Sequence, residues 1–163
     1  MKIYTKMEFY LTSPNSVAPK KSHKLDAGYD LYCLEDVSIP MWERAKVSTG
    51  VVILIPKGYE GKIEGRSSLA YHRGIIVGGG VIDAGYTGEV EVLLFNVSNT
   101  NFNVPKGSKI AQLVVHKIFD DEQPLSVQVK TSQQYRKDRA KLKEKYGIDE
   151  DARDDGGFGS TGN

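Results

Sequence analysis

Short apolar runs with partial alternation between apolar and polar residues recur over the first three quarters of the chain. These runs lie at residues 3–11, 46–55, 59–64, 88–95 and 109–119. Each is too short for the apolar face of a core helix, and period-two alternation is typical of a half-buried strand. Turn-forming clusters separate them, including 56–58, 78–80 and 105–107. The pattern predicts an all-β sandwich, jelly roll or small barrel rather than an alternating α/β fold.

One helix is predicted, and it lies late in the chain. Residues 132–146 read SQQYRKDRAKLKEKY. Thr131 and Gln134 have the spacing of a capping box, and Gly147 provides a stop signal. Six basic residues against two acidic ones leave only a thin apolar stripe, which predicts a helix on a surface.

The charge pattern divides the chain into three parts. Residues 1–130 form the predicted β domain, and 131–152 form an inserted segment with the basic helix and the start of an acidic run. Five acidic residues against one basic residue occupy 149–155. We interpret this segment as a solvated linker, and the alternative is a segment that binds a protein partner. Residues 153–163 form a glycine-rich arm that needs a partner to hold a fixed shape.

Composition narrows the function classes. The chain has 163 residues, the size of one domain, and a net charge of +1. Neither a nucleic-acid partner nor a membrane partner is expected, because there is no basic excess and no apolar run of about 20 residues. The start of the chain lacks a signal-peptide pattern, so we expect a soluble intracellular protein, cytoplasmic or nuclear. Cys33 is the only cysteine, which excludes an intrachain disulfide and a cysteine-based zinc site.

Residues 78–96, GGGVIDAGYTGEVEVLLFN, are the first candidate for chemistry. Apolar residues on both sides of Asp83 suggest a carboxylate held between two strands, where it can act as a general base. The glycines expose backbone donors and acceptors, and Tyr86 follows at a distance suited to packing on a ligand. The alternative is a hairpin in which Asp83 only caps the turn at Ala84 and Gly85.

Residues 65–70, GRSSLA, are the second candidate. A guanidinium and two hydroxyls beside a glycine suit an anionic group such as phosphate. The alternative is a surface turn with an ion pair. The phosphate loop of nucleotide triphosphatases is absent, and so is the glycine-serine elbow of acyl-transfer enzymes.

In order, five segments resemble the five motifs of the trimeric deoxyuridine triphosphate nucleotidohydrolases, the dUTPases. The segments are DAGYDLY (26–32), GRSSLA (65–70), GVIDAGYTG (80–88), GSKIAQLVV (107–115) and GGFGSTG (156–162). The resemblance implies a jelly-roll β domain in a homotrimer, with active sites shared among subunits and closed by the carboxyl-terminal arm. It also implies Mg²⁺-dependent hydrolysis of dUTP to dUMP and pyrophosphate, which limits uracil in DNA and supplies dUMP for thymidylate synthesis.

The resemblance assigns a role to individual residues. Asp83 would activate the water that attacks the α-phosphate, Tyr86 would pack on the deoxyribose, and Asp30 would hold Mg²⁺ through water. The uracil edge would be bound by the backbone of Gly80, Val81 and Ile82. The phosphates would be bound by Arg66, Ser67, Ser68 and Gln112. In the arm, the expected substrate-binding residues are Arg153, Phe158, Gly159, Ser160 and Thr161.

Two alternatives remain beside this hypothesis. GRSSLA is closer to the related dCTP deaminases, which share the fold. Their catalytic glutamate would fall at position 93, where this chain has Leu93, and leucine cannot transfer a proton. The other alternative is a regulatory or binding protein with the same fold, because fold does not guarantee catalysis.

Overall fold

A computed structural model of the chain describes residues 6–119. This part contains ten strands and one short helix. The strands are β1 (Glu8–Leu11), β2 (Tyr29–Tyr32), β3 (Val37–Ile39), β4 (Arg44–Leu54), β5 (Tyr59–Glu64), β6 (Ile75–Gly78), β7 (Val81–Ile82), β8 (Glu89–Asn96), β9 (Phe102–Val104) and β10 (Lys109–Lys117). The helix, α1, spans Ser67–Arg73. The predicted all-β class is confirmed, and each predicted apolar run overlaps a strand.

The strands form three sheets. The first has the order β1-β4-β8-β6 and the second has the order β2-β10-β5-β7, and all pairs are antiparallel. A separate two-stranded sheet pairs β3 with β9. Most neighbouring strands are far apart in the sequence, as a jelly-roll connectivity requires.

The hydrophobic core is formed by side chains from both four-stranded sheets. Val47, Ile53 and Leu94 of the first sheet and Leu31 and Leu113 of the second are fully buried. In β8 the buried residues alternate from Val90 to Asn96, as expected for a strand with one face on the core.

Helix α1 was not predicted from the sequence. It is only seven residues long, and none of its residues is buried. A helix of two turns without a buried face leaves no apolar period to detect. It ends at Gly74, whose φ of 62° is the left-handed conformation in which glycine has no steric penalty.

Strand β5 fixes the positions of the two candidate segments. Arg66 follows the end of β5, and Gln112 of β10 lies opposite Glu64 at that same end. Strand β7 pairs with the other half of β5, with Ile82 opposite Gly61. Loop 83–88 therefore begins near the start of β5, whereas segment 65–70 begins at its end.

The predicted helix at 132–146, the acidic run and the glycine-rich arm lie outside the described residues. Within residues 6–119 no helix has the length and apolar character needed to cross a bilayer.

Candidate active site

Asp83 stands in the loop between β7 and β8. Its carbonyl oxygen accepts a hydrogen bond of 3.0 Å from the Tyr86 amide, which closes a tight turn. The turn at Ala84 and Gly85 is thus present, but a main-chain hydrogen bond closes it and not the side chain of Asp83. The side chain of Asp83 is exposed rather than enclosed between strands, and no described residue makes a hydrogen bond to its carboxylate. A water molecule can therefore reach the carboxylate and hydrogen-bond to it.

A cavity of about 410 Å³ opens beside this loop. Its lining includes residues 78–83, Tyr86 and Leu93 of β8. Strand β7 is at the edge of its sheet, so no other strand among residues 6–119 pairs with the edge that faces away from β5. A planar ligand with donors and acceptors on one edge can bind there by the pairing rules of a strand.

Glycine is required at Gly80 for the cavity wall to have this shape. Its φ is 110°, and a Cβ built there would lie 2.9 Å from the carbonyl oxygen of Ile63. The Ile63 amide donates a hydrogen bond of 2.7 Å to the Gly80 carbonyl, so a hydrogen bond also holds Gly80 close to β5. Any side chain at this position would force the two segments apart.

Tyr86 lies over the main chain of its own loop. Its hydroxyl donates to the Glu89 carbonyl at 2.8 Å. A Cβ at Gly88 would lie 2.6 Å from the hydroxyl oxygen of Tyr86 and 2.8 Å from its Cζ, so the ring rests where a side chain would otherwise be. The residue is 42% exposed, which leaves surface for packing on a ligand.

Asp30 lies in a different cluster, with two cations. One carboxylate oxygen pairs with Arg66, and the other accepts from Lys109 at 2.7 Å and from Ser22 at 2.8 Å. Burial alone would raise the pKa of this carboxyl. The hydrogen bonds from Lys109 and Ser22 and the charges of Arg66 and Lys109 outweigh that effect and hold the pKa below its ordinary value.

The predicted phosphate-binding residues lie around Asp30. Gln112 is directly opposite Asp30 in the register of β2 and β10, so the two side chains share a face. A Cβ at Gly28 would lie 2.6 Å from the side-chain oxygen of Gln112, which places Gln112 over motif 26–32. Ser67 and Ser68 open α1 with exposed side chains. The structure thus groups Arg66, Gln112 and Asp30 at one end of the sheet.

One chain does not bring this group to Asp83. In the register of β5 and β7, Asp83 lies level with Glu60, six positions before Arg66. At about 3.3 Å per residue along a strand, the separation is roughly 20 Å. A ligand that contacted both groups in one chain would have to span this distance.

Asp30 is the only residue predicted to contact a metal. Within residues 6–119 there is no group of three or more His, Cys, Asp or Glu residues that could hold a metal ion. Mg²⁺ typically keeps several waters and is held by one or two carboxylates together with substrate phosphates. The carboxylate oxygen of Asp30 that pairs with Arg66 retains a lone pair for a water molecule. The residues therefore fit Mg²⁺ carried by the triphosphate and contacted through water.

Two polar residues near the candidate site were missed by the sequence reasoning. Lys109 ion-pairs with Asp30, and Glu91 lines the cavity beside Leu93. The motif at 107–115 contains Lys109, but only the register of β2 and β10 brings it to Asp30. The arm residues Arg153, Phe158, Gly159, Ser160 and Thr161 lie outside the described residues.

Comparison with known proteins identifies the family. The dUTPase family model matches residues 15–162. The deoxyuridine 5'-triphosphate nucleotidohydrolase of Saccharomyces cerevisiae is 40% identical over 157 residues, covering 96% of this chain and 95% of its own length. The enzyme of the same name from Fowlpox virus is 40% identical over 153 residues, with 94% of each chain covered.

Solved structures agree. A mutant dUTPase of Staphylococcus bacteriophage 80alpha with dUpNHpp superposes with a TM-score of 0.75 at 26% identity, over 96% of this chain and 98% of that one. A mutant dUTPase from phage phi11 of S. aureus, whose structure shows the coordination of a structural Mg(II) ion, gives a TM-score of 0.69 at 28% identity, over 78% of this chain and 99% of that one. Together, the family model and the relatives of similar length show that the chain belongs to the dUTPase family.

Proposed function

We propose that this protein hydrolyses dUTP to dUMP and pyrophosphate, with water attacking the α-phosphate. The observation that carries the proposal is the cavity beside loop 83–88. It combines an exposed carboxylate, an aromatic residue and the edge of strand β7, with which no further described strand pairs, at a cavity of about 410 Å³. These are the groups needed to activate water, pack on a sugar and bind the edge of a base. In the cell, this reaction would limit uracil in DNA and supply dUMP for thymidylate synthesis.

The reaction needs only a few steps from the protein. Asp83 takes a proton from the attacking water, and its exposure leaves room for that water beside the α-phosphate. The backbone of Gly80, Val81 and Ile82 binds the uracil edge along the open side of β7. Phosphoryl transfer depends mainly on positioning and on positive charge around the phosphates, which Arg66 provides. Gln112, Ser67 and Ser68 bind phosphate oxygens.

Mg²⁺ fits beside Asp30, and when bound it neutralises phosphate charge. Arg66 is paired with Asp30, so a triphosphate and Asp30 share the same guanidinium. The five donors of a guanidinium allow both contacts at once. Asp30 therefore orients Arg66 towards the phosphates while its second oxygen stays bonded to Lys109.

The active unit is a homotrimer with shared sites. Asp83 and Arg66 of one chain are separated by roughly 20 Å along β5. This separation supports the trimer, because it is too large for both residues of one chain to contact the same triphosphate. The arm completes each site: Phe158 stacks on uracil, and Arg153 with Ser160 and Thr161 binds the γ-phosphate. Gly159 also belongs to the substrate-binding residues of the arm.

Discrimination by shape is the first test. If the Tyr86 ring packs on the sugar, the 2′-hydroxyl of a ribonucleotide would clash with the ring. The kcat/KM for UTP should then be about tenfold or more below that for dUTP. Pyrophosphate release with dUTP, dTTP, dCTP and UTP, measured side by side, gives this ratio. Tyr86→Ala should lower the ratio of kcat/KM for dUTP to that for UTP. Tyr10→Ala, the same change at an exposed tyrosine of β1, should leave this ratio unchanged. Equal rates for dUTP and UTP in the wild type would refute the role of Tyr86.

Leu93 leads to a second expectation. It lines the cavity at the position where a deaminase would carry its glutamate. An aliphatic side chain cannot transfer protons to and from the cytosine amine, so no ammonia should be released from dCTP at any pH. Ammonia in a coupled assay, above that from the Asp83→Asn variant, would show that the protein is a deaminase.

A further inference from the structure

Glu89, the first residue of β8, is the focus of a hydrogen-bond network that none of the motifs includes. One carboxylate oxygen accepts from the Ser48 hydroxyl and from the Gly50 amide at 3.1 Å. The other accepts from the Thr12 hydroxyl at 3.0 Å. Three donors from two segments thus converge on one carboxylate directly after loop 83–88.

The network fills a bulge in the sheet. In the pairing of β4 with β8, Ser48 lies opposite Glu91 and Val52 opposite Glu89, so three residues of β4 face one residue of β8. Gly50, at the centre of the bulge, has a φ of 66°. Its amide is turned away from the regular ladder, and the Glu89 carboxylate provides the acceptor.

The same residue holds Tyr86. The hydroxyl of Tyr86 donates to the main-chain carbonyl of Glu89, and the ring lies against Gly88. The ring can keep this position only if the main chain at 88–89 is fixed. The side chain of Glu89 fixes that main chain to β4 and to Thr12. The hydrogen bond from Ser48, followed by those from Gly50 and Thr12, lowers the pKa of Glu89, which indicates an ionised carboxylate.

We propose that Glu89 is a positioning residue that holds loop 83–88, and with it Tyr86, in the conformation that selects a deoxyribonucleotide. The selectivity part rests on the proposed function. Glu89 touches neither the substrate nor the attacking water. It acts through its own carbonyl on Tyr86 and through the main chain on the rest of the loop.

The test compares Glu89→Ala, which removes all three bonds to the carboxylate, with Thr49→Val as a matched control. Thr49 lies in the same bulge, and its hydroxyl bonds to the Val90 carbonyl at 2.6 Å without touching Glu89. Both variants should lose stability, so stability alone does not distinguish them. Glu89→Gln keeps an acceptor for Ser48 and Gly50 and serves as the conservative rescue.

Two quantities are measured under conditions in which all variants are folded. The first is hydrogen exchange of the Tyr86 amide, whose bond to Asp83 closes the loop. The second is the ratio of kcat/KM for dUTP to that for UTP. We expect Glu89→Ala to speed exchange and lower the ratio, each by about three- to tenfold, with Thr49→Val near wild type and Glu89→Gln in between.

The outcomes separate this inference from the proposed function. Unchanged exchange in Glu89→Ala, or equal effects in Thr49→Val, would overturn the positioning role. Faster exchange with an unchanged ratio would overturn the link to selectivity. If the wild type itself does not distinguish dUTP from UTP, the role of Tyr86 fails, and the exchange measurement alone decides whether Glu89 holds the loop.

Discussion

Asp83→Asn is expected to lower the turnover of dUTP by about two to four orders of magnitude, the usual cost of losing a general base. The amide keeps the shape of the side chain but cannot take a proton from water. The fold should not change, because the Asp83 carboxylate is exposed and no described residue depends on it for a hydrogen bond. Pyrophosphate release in the steady state gives the turnover, and titration with the slowly hydrolysed analogue dUpNHpp gives the binding.

The matched control is Asp36→Asn. Asp36 is also exposed, and its side chain accepts a hydrogen bond of 2.7 Å from the Lys106 amide, which an asparagine oxygen can also accept. It lies between β2 and β3, outside the cavity beside loop 83–88. Its turnover should stay near wild type. Near-normal turnover in a folded Asp83→Asn variant that still binds dUpNHpp would exclude Asp83 as the base.

The strands with a long alternating pattern could be predicted from the sequence, and the shortest ones could not. Strands β4, β8 and β10 have eight or more residues, enough for a period of two to stand out. Strand β7 has two residues and β3 and β9 have three each, so they show no period. These short strands exist because their neighbours supply hydrogen-bond partners, which is a tertiary effect.

The residues of the candidate site could likewise be predicted only where they are close together in the sequence. Asp83 and Tyr86 were found because they share one short segment with glycines. Lys109 was not, because its partner Asp30 lies far away in the sequence and only the register of β10 against β2 brings them together. Glu89 was missed for the same reason. Its donors come from β4 and from Thr12, and a glutamate at the start of a strand gives no local signal.

Asp30→Asn is expected to lower the free energy of unfolding by about 2–3 kcal/mol at neutral pH. The variant leaves Arg66 and Lys109 beside each other without the charge that pairs them. An exposed ion pair contributes about 0–1 kcal/mol, and breaking a buried one costs roughly 3–5 kcal/mol. Asp30 is buried, but Lys109 keeps 36% of its side-chain surface exposed, so the expected value lies between these ranges. Urea denaturation followed by circular dichroism measures it.

The dependence on pH identifies the cause. The folded protein holds the pKa of Asp30 below its ordinary value, against the tendency of burial to raise it, through the bonds from Lys109 and Ser22 and the charge of Arg66. A lowered folded pKa contributes stability that is complete above the unfolded value of about 3.9 and disappears as pH falls through the folded value. The difference between wild type and Asp30→Asn should therefore be largest near pH 7, begin to shrink below about pH 4, where the unfolded carboxyl becomes protonated, and disappear only as pH falls through the lower folded value.

Asp83→Asn is the control for this measurement, since it makes the same chemical change at an exposed carboxylate. Its stability at pH 7 should match wild type, because no described residue makes a hydrogen bond to the Asp83 carboxylate. If the deficit of Asp30→Asn did not shrink as pH fell from 7 through the folded pKa of Asp30, the loss would come from packing or hydrogen-bond geometry and not from charge. The pairing of Asp30 with Arg66 and Lys109 would then carry no net energy, and the cluster could not orient Arg66 towards a triphosphate by electrostatics.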